Sequence, residues 1–508
     1  MKLRIDVLAA AVCGATALFG TTAGNAATAC ADLRSLKLPD TTITLAERVP
    51  AGDFNAPGVP RPLKVAAICR VAGVVTPAIK FEVWLPEGNA WNGRFQAVGG
   101  GGLAGIISYP ALAEAVNSGY ASSSTDTGHE ASDTANTWTL DRQRVTDYGY
   151  RAIHQMTLKA KAVIDAHYGK APEYSYFNGC STGGRQGLME AQRYPDDFNG
   201  IIAGAPVNRF TNLHMGQLYT AHATLKKPGA VLTRDDLTKV SAAVLAQCDA
   251  ADGVKDGMLT DPRMCKFDPS SLQGFKPEQI EALKMIYKGA VNPRTGAQIY
   301  PGLEVGGEAP QPGNPGWSLI MNGKDIFPID APVLGGMGFN NPQWDWHTFD
   351  FDSDVRLIDA KLSGTLNAVN PDLSDFKKHG GKLIVYHGWS DPGVMPQQTL
   401  NYLGSVREFA GKSTGSDGGA YTDEFVRLYM LPGVGHCRGG VGPDQADWIG
   451  ALAGWVEKGK APASIEAHRD DQGKTVLTRP LCPYPQAARY KGKGDTNDAK
   501  NFECAAPK

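Results

Sequence analysis

An apolar strand signal, Tyr174-Ser175-Tyr176-Phe177-Asn178, runs directly into Gly179-Cys180-Ser181-Thr182-Gly183, after which Leu188, Met189 and Ala191 recur at helical spacing up to Tyr194-Pro195. Strand, Gly-x-Ser-x-Gly and helix in that order predict a tight elbow with Ser181 at its tip. Both glycines have a steric reason: side chains at Gly179 or Gly183 would collide with the adjoining strand and helix, and the serine itself needs strained backbone angles. Ser181 is therefore the candidate nucleophile. The same pentapeptide in a plain Gly/Ser turn carries no chemistry, so the reading depends on partners elsewhere in the chain.

The chain opens with basic Lys2 and Arg4, an apolar run from Val7 to Phe19 and small residues at Gly24-Asn25-Ala26. That is the layout of a secretory signal peptide over residues 1–26. A membrane anchor fits less well, because the run is short and Gly-interrupted and no lipobox leucine precedes Cys13 or Cys30. No later stretch reaches about 18 consecutive apolar residues, so the mature protein is expected to be soluble, secreted or periplasmic, with no membrane partner. Lys and Arg number 50 against 52 Asp and Glu, a net charge of −2 that argues against a nucleic-acid partner. A chain of 508 residues exceeds one ordinary core and implies an insertion or a second domain. Of nine cysteines, Cys13 falls in the leader; the other eight suit a disulfide framework in an exported chain. Eight allow about a hundred pairings. Chain order suggests Cys30 with Cys69, Cys248 with Cys265 and Cys482 with Cys504, leaving Cys180 and Cys437 for each other.

Strands are expected at Lys80–Leu85, Arg94–Val98, Gly119–Thr125, Asn199–Ala205, Lys382–His387 and Glu424–Leu431, with helices at Asp147–His167, Pro396–Phe409 and Asp444–Glu457. Their alternation predicts an α/β class with a mostly parallel sheet. The rhythm breaks between Val207 and Asp375. The expected architecture is an α/β-hydrolase fold: a catalytic domain of residues 27–206 and 376–508, and an inserted lid domain of residues 207–375.

In such a fold the acid and the histidine follow the serine on loops after later strands. The strand at Lys382–His387 ends in Gly388-Trp389-Ser390-Asp391, and the strand at Glu424–Leu431 ends in Pro432-Gly433-Val434-Gly435-His436-Cys437. Asp391 and His436 are the candidate acid and base. Imidazole is the side chain best matched to deprotonating a serine near neutral pH, and the carboxylate would fix its tautomer. His129 and His387, also at strand ends, are read as packed or hydrogen-bonded histidines. Oxyanion donors are expected from the amide of Thr182 and from the run Gly99–Gly102, at Gly101 and Gly102. Cys180 precedes the serine and Cys437 follows the histidine, so if the two are bonded, Ser181 and His436 are brought within reach of each other.

Gly179-Cys180-Ser181-Thr182-Gly183-Gly184-Arg185-Gln186-Gly187, Asp391 and Gly435-His436-Cys437 resemble the Cys-Ser/Asp/His-Cys pattern of the tannase and feruloyl esterase family, which includes terephthalate monoester hydrolases. Further similar phrases are Trp91-Asn92-Gly93-Arg94-Phe95, Ser124-Thr125-Asp126-Thr127-Gly128-His129 and Asp147-Tyr148-Gly149-Tyr150-Arg151-Ala152. The resemblance implies a serine esterase acting through an acyl-enzyme on a small aromatic ester, first of all a feruloyl ester, with gallate esters or a terephthalate monoester as alternatives. A catalytically silent binding protein on the same fold is the reading outside that class. It also implies a structural Ca²⁺ in the lid, held by carboxylates of Asp249, Asp252 and Asp256 and carbonyls of Val254 and Met258, an oxygen-only set suited to a hard cation. Phe339, Trp344, Trp346, Phe349 and Phe351 are dense in the lid; they are candidates for a flat substrate wall, though such spacing is commoner in a lid core.

Overall fold

The computed structural model describes residues 27–321 and 323–506. The expected signal peptide lies outside these residues. Nine strands form the main sheet: β1 (Thr41–Val49), β2 (Ile68–Val75), β3 (Ile79–Pro86), β4 (Arg94–Val98), β5 (Ala121–Thr125), β6 (Tyr174–Cys180), β7 (Gly200–Gly204), β8 (Lys382–Gly388) and β9 (Val426–Leu431). Their order across the sheet is β1-β2-β3-β5-β4-β6-β7-β8-β9. The six strands from β5 to β9 pair in parallel. The three at the other edge run antiparallel.

Helices cover both faces, and the two-residue period of a strand decides which side chain meets which helix. Phe177, Ile201 and Leu383 share one apolar cluster with Ile153 and Met156 of α1 (Ala152–Tyr168), Leu188 of α2 (Thr182–Arg193) and Leu403 and Val406 of α3 (Gln397–Thr414). Their strand neighbours Tyr176, Ile202 and Ile384 point the other way, onto Leu452 and Trp455 of α4 (Trp448–Lys458). Covered on both faces, β7 is buried along its whole length, as expected of a central parallel strand.

Several elements depart from expectation for identifiable reasons. The helix expected from Asp147 is a π-helical turn over Asp147–Arg151 before α1 begins. There the buried Arg185 guanidinium donates to the carbonyls of Tyr148 and Gly149, which competes with the helical ladder. The helix expected from Asp444 starts at Trp448, because the Asp447 side chain caps it by accepting from the Gly450 amide. β1, β2 and a C-terminal hairpin of Ile465–Asp471 with Lys474–Leu481 had no expected counterpart.

The chain between β7 and β8 builds its own apolar cluster, in which Leu213, Leu218, Leu283, Tyr300, Trp317 and Ile358 are buried. The dense aromatics pack within this cluster: Phe339 on Trp344 at 5.4 Å, Trp344 on Phe349 at 6.0 Å and Phe349 on Phe351 at 4.9 Å between ring centroids. Phe349 and Phe351 are buried in it, while Phe339, Trp344 and Trp346 are partly buried against it, which fits the lid-core reading of this spacing.

α2 lies against β7 closely enough that a methyl group on Gly184 would sit 2.3 Å from the Gly204 carbonyl oxygen and 2.9 Å from Pro206 Cα. Both obstacles are backbone and cannot swing aside. Gly184→Ala should therefore destabilise the protein by about 1–3 kcal/mol through overpacking, visible as a lower midpoint in urea denaturation.

Candidate active site

Ser181 joins β6 to α2 at φ 63° and ψ −122°, a left-handed conformation that costs a non-glycine residue energy. The turn is fixed on both sides: the Ser181 amide donates to the Gly204 carbonyl at 2.9 Å, and its carbonyl accepts from Arg185 N at 3.0 Å. Both flanking glycines are required, since a Cβ on Gly179 would lie 2.7 Å from Gly183 C, and one on Gly183 would lie 3.0 Å from the Gly100 carbonyl oxygen.

Asp391 and His436 meet although 45 residues separate them. His436 Nδ1 and Asp391 Oδ2 are 2.7 Å apart. Asp391 is 2% exposed, and its other oxygen accepts from the amides of Gly393 and Val394 at 2.8 and 2.9 Å. Burial alone would raise its pKa, but the positive charge of His436 and the hydrogen bonds from His387 and His436 outweigh it and hold the carboxyl below its ordinary range. Burial likewise opposes charging of His436, yet the Asp391 carboxylate outweighs it and raises the imidazole above its ordinary value. With Nδ1 committed to Asp391, Nε2 is the nitrogen left to take a proton. The ring stays partly open to solvent, with 28% of the side chain exposed.

The disulfides form in the order expected: Cys30–Cys69, Cys180–Cys437, Cys248–Cys265 and Cys482–Cys504. Cys180–Cys437 places the two α-carbons 6.0 Å apart, so the residues next to them, Ser181 and His436, share one corner of the molecule.

The glycine run packs on the start of α2. The Gly102 carbonyl accepts from Thr182 Oγ1 at 2.6 Å and from the Tyr148 hydroxyl at 3.0 Å, and Gly100 N donates to Gln186 Oε1 at 3.0 Å. The amides of Gly101 and Gly102 have no acceptor among the described residues. His129 stacks on Trp138 at 3.8 Å and makes a 2.7 Å bond from Nε2 to the Leu103 carbonyl, steadying the same loop from behind. Two apolar side chains from the segment between β7 and β8 reach these loops. Ile329 Cδ1 lies 3.7 Å from where a Cβ of Gly102 would be, and Leu319 Cδ2 lies 3.2 Å from that of Gly393.

The expected calcium ligands lie on a 3₁₀ turn, Asp249–Asp252, and the loop after it. Asp249 Oδ1 accepts from the amides of Asp256 and Gly257, Asp252 from Val254 N and from Thr260, and Asp256 Oδ2 from Arg479. Burial raises the pKa of Asp256, and the charge of Asp252 adds to it against the pull of Arg479. The carbonyls of Val254 and Met258 accept no hydrogen bond among the described residues, although both residues are buried.

The sequence matches the profile of "Tannase and feruloyl esterase" over residues 63–505. The chain belongs to this family. It is 39% identical to an uncharacterized esterase of Xanthomonas campestris pv. campestris over 95% of this chain and 92% of that one. It is 32% identical to a mono(2-hydroxyethyl) terephthalate hydrolase of Piscinibacter sakaiensis, over 86% and 85%. The fold superposes on feruloyl esterase B from Aspergillus oryzae with a TM-score of 0.86 at 27% identity, covering 94% of this chain and 99% of that one. The protein is a carboxylic ester hydrolase of the tannase and feruloyl esterase family.

His387 is the residue that sequence reasoning undervalued. It is fully buried, with Nε2 3.1 Å from Asp391 Oδ2 and 3.0 Å from the Val394 carbonyl, and Nδ1 2.8 Å from Thr399 Oγ1. Two acceptors at Nε2 fix the proton there, so His387 donates to the same carboxylate oxygen as His436 and holds it in place. Its position four residues before Asp391, at the end of the same strand, was the available signal. As a positioning residue it should affect kcat and spare KM: His387→Ala is expected to lower kcat about tenfold to a hundredfold, with KM within about threefold, in steady-state ester hydrolysis.

Proposed function

We propose that this esterase hydrolyses esters of aromatic, hydroxycinnamic-type carboxylic acids through an acyl-enzyme formed on Ser181. The observation that carries the reading is the Asp391–His436 pair, tied to the Ser181 elbow by Cys180–Cys437 and lying beside unpaired loop amides. Ser181 Oγ attacks the ester carbonyl while its proton passes to His436 Nε2, and Asp391 stabilises the imidazolium through Nδ1. The oxyanion is received by the amides of Thr182 and of Gly101 or Gly102; one such donor is worth about 3–4 kcal/mol of barrier. Collapse breaks the ester C–O bond, and the leaving alkoxide takes the proton from His436. Water then repeats the sequence on the acyl-enzyme and releases the acid.

Relatives named as feruloyl esterases support a feruloyl ester as first choice. The terephthalate hydrolase keeps a terephthalate monoester in view, and a tannin acyl hydrolase of the same fold keeps gallate esters. The machinery acts on the carbonyl common to all three, so discrimination falls to groups touching the ring or the alcohol. Residues 207–375 are proposed as a lid that supplies them, with Leu319 and Ile329 at the catalytic loops. Hydrolysis of methyl ferulate, methyl gallate and the terephthalate monoester ranks the candidates. Methyl ferulate should give the highest kcat/KM, and Ser181→Ala should retain less than about a hundredth of wild-type turnover on each. Turnover in the variant above about a hundredth of wild type would show that Ser181 is not the nucleophile.

Export after removal of residues 1–26 is part of the proposal. Four disulfides are consistent with an oxidising compartment, and no helix among the described residues is long and apolar enough to cross a membrane.

Ca²⁺ is proposed as a structural ion at Asp249, Asp252 and Asp256 with the carbonyls of Val254 and Met258. The donors are all oxygen, and three carboxylates face one guanidinium, Arg479. Oxygens at 2.3–2.6 Å from an ion span a shell about 5 Å across, so the carboxylates need not touch one another. The ion would hold the loop closed by Cys248–Cys265 and take no part in ester cleavage. Chelation should lower the melting temperature, with recovery on adding Ca²⁺ and the logarithmic concentration dependence of a ligand that binds only the folded state.

A further inference from the structure

Under the C-terminal half of the elbow helix lies a group of side chains that the esterase chemistry does not use. His154 of α1, Glu190 of α2 and Asp197 of the turn before β7 bring one ligand atom each within 4.8 Å of one another. Glu190 is 0% exposed, and neither of its carboxylate oxygens has a hydrogen-bond partner. Asp197 is 5% exposed; its Oδ2 lies 2.6 Å from His154 Nδ1. His154 is held by stacking on Tyr194, with ring centroids 3.8 Å apart, and 22% of its side chain is open to solvent. Among the described residues Lys161 also lies against the group, its ammonium donating to the Asp197 backbone carbonyl.

Glu190 is the carboxylate that nothing answers: Asp197 has His154, and the Lys161 ammonium bonds to a backbone carbonyl and to neither carboxylate. A buried carboxylate with no donor at either oxygen costs several kcal/mol if ionised, so it must take up a proton or a cation. The geometry favours the cation over the proton as the missing charge. One imidazole and two carboxylates are a transition-metal donor set, their ligand atoms already lie within 4.8 Å of one another, and the exposed edge of His154 is an entry path.

We propose that His154, Glu190 and Asp197 bind a divalent transition-metal ion, Zn²⁺ by donor type, which pins α1, α2 and the turn before β7 together behind the nucleophile elbow. The fourth position is left to water. The site is distinct from the calcium loop in donors as well as in place: nitrogen is present here, and the three ligands come from the hydrolase core.

The test uses the full mature protein, dialysed against micromolar ZnCl₂ with Ca²⁺ in large excess so that the oxygen-only loop stays filled. Elemental analysis should find one zinc per chain in the wild type and less than about a tenth of that in Glu190→Gln and in His154→Ala. Zinc should raise the melting temperature of the wild type and leave both variants unmoved. Glu190→Gln is nearly isosteric, so circular dichroism and esterase turnover at 25 °C establish that it is folded. Two results would overturn the proposal. One is no stoichiometric zinc in the wild type, above all if Glu190→Gln is then as stable as the wild type or more so, which assigns the missing charge to a shared proton. The other is equal zinc uptake by folded Glu190→Gln, which places the ion elsewhere.

Discussion

The Cys180–Cys437 bridge is the constraint on which the rest of the site depends. The serine elbow leaves β6, the acid loop leaves β8 and the histidine loop leaves β9, so β7 and β8 stand between the serine and histidine strands. Neighbouring strands are about 4.8 Å apart, which places the ends of β6 and β9 roughly 14 Å from each other. The loop Pro432–Cys437 must fold back across the sheet edge, and the disulfide holds its far end 6.0 Å, α-carbon to α-carbon, from the elbow. Cys437 accepts a left-handed φ of 66° to do so, as Ser181 does at 63°. Strain on both sides of one covalent link is what over-determination by the surrounding structure sustains. Closing a loop of 257 residues also restricts the unfolded chain by about 5 kcal/mol in a chain-entropy treatment.

That link fixes one end of the histidine loop only, and the segment between β7 and β8 fixes the remainder. Asn314 Nδ2 donates to the Ser390 carbonyl, next to Asp391, while the Gly440 amide donates to the Pro312 carbonyl. A Cβ on Gly435 would sit 2.5 Å from Asn314 Cγ, and one on Gly439 would sit 2.4 Å from the Gly313 carbonyl oxygen. Backbone approaches backbone at these points because glycine allows it. The segment between β7 and β8 thus braces the loops that carry Asp391 and His436, and its Leu319 and Ile329 lie against Gly393 and Gly102. A change of insert that altered substrate preference would have to preserve the stretch from Pro312 to Asn314.

What the sequence made legible is what has a local signature. The elbow, the order serine, acid, histidine and the parallel strands were readable because each is a contiguous pattern with a steric or periodic cause. The pairing of cysteines was readable in part from chain order. The roles of Tyr148 and Arg185 were not, because each depends on a contact between distant segments, whereas His387 carried a local signal, four residues before Asp391, that was undervalued. Arg185 reaches the carbonyls of Gly149 and Leu366, and Tyr148 reaches that of Gly102. Nothing in the one-dimensional pattern marks a backbone carbonyl as the partner of a distant side chain. The antiparallel edge of β1 and β2 was missed for a related reason. β1 alternates irregularly, exposed on much of its length with Ile43 its buried residue, so its periodicity is weak. The aromatics of residues 339–351 show the converse: their density in sequence goes with a second apolar cluster, built largely between β7 and β8, in which Phe349 and Phe351 are buried.

The buried carboxylates sort by the donors that the fold supplies. Asp391 receives four: the amides of Gly393 and Val394 on one oxygen, and His387 and His436 on the other. Its carboxyl is held below its ordinary range even at 2% exposure. Asp330, fully buried, receives only His214, and burial pushes its carboxyl up to about 6. Glu190 receives none and is pushed well up. Burial is nearly the same at all three, so burial cannot be what separates them. The difference is first the two histidines placed by adjacent parallel strands, whose charge and hydrogen bonds lower the Asp391 carboxyl, and with them the turn Asp391-Pro392-Gly393-Val394, which aims two amides back at its own first residue. A charged acid at the centre of an ester hydrolase is therefore a product of backbone direction as much as of side-chain identity. A carboxylate lacking such a turn, as Glu190 does in mid-helix with the helical amides already engaged, must find its compensating charge elsewhere.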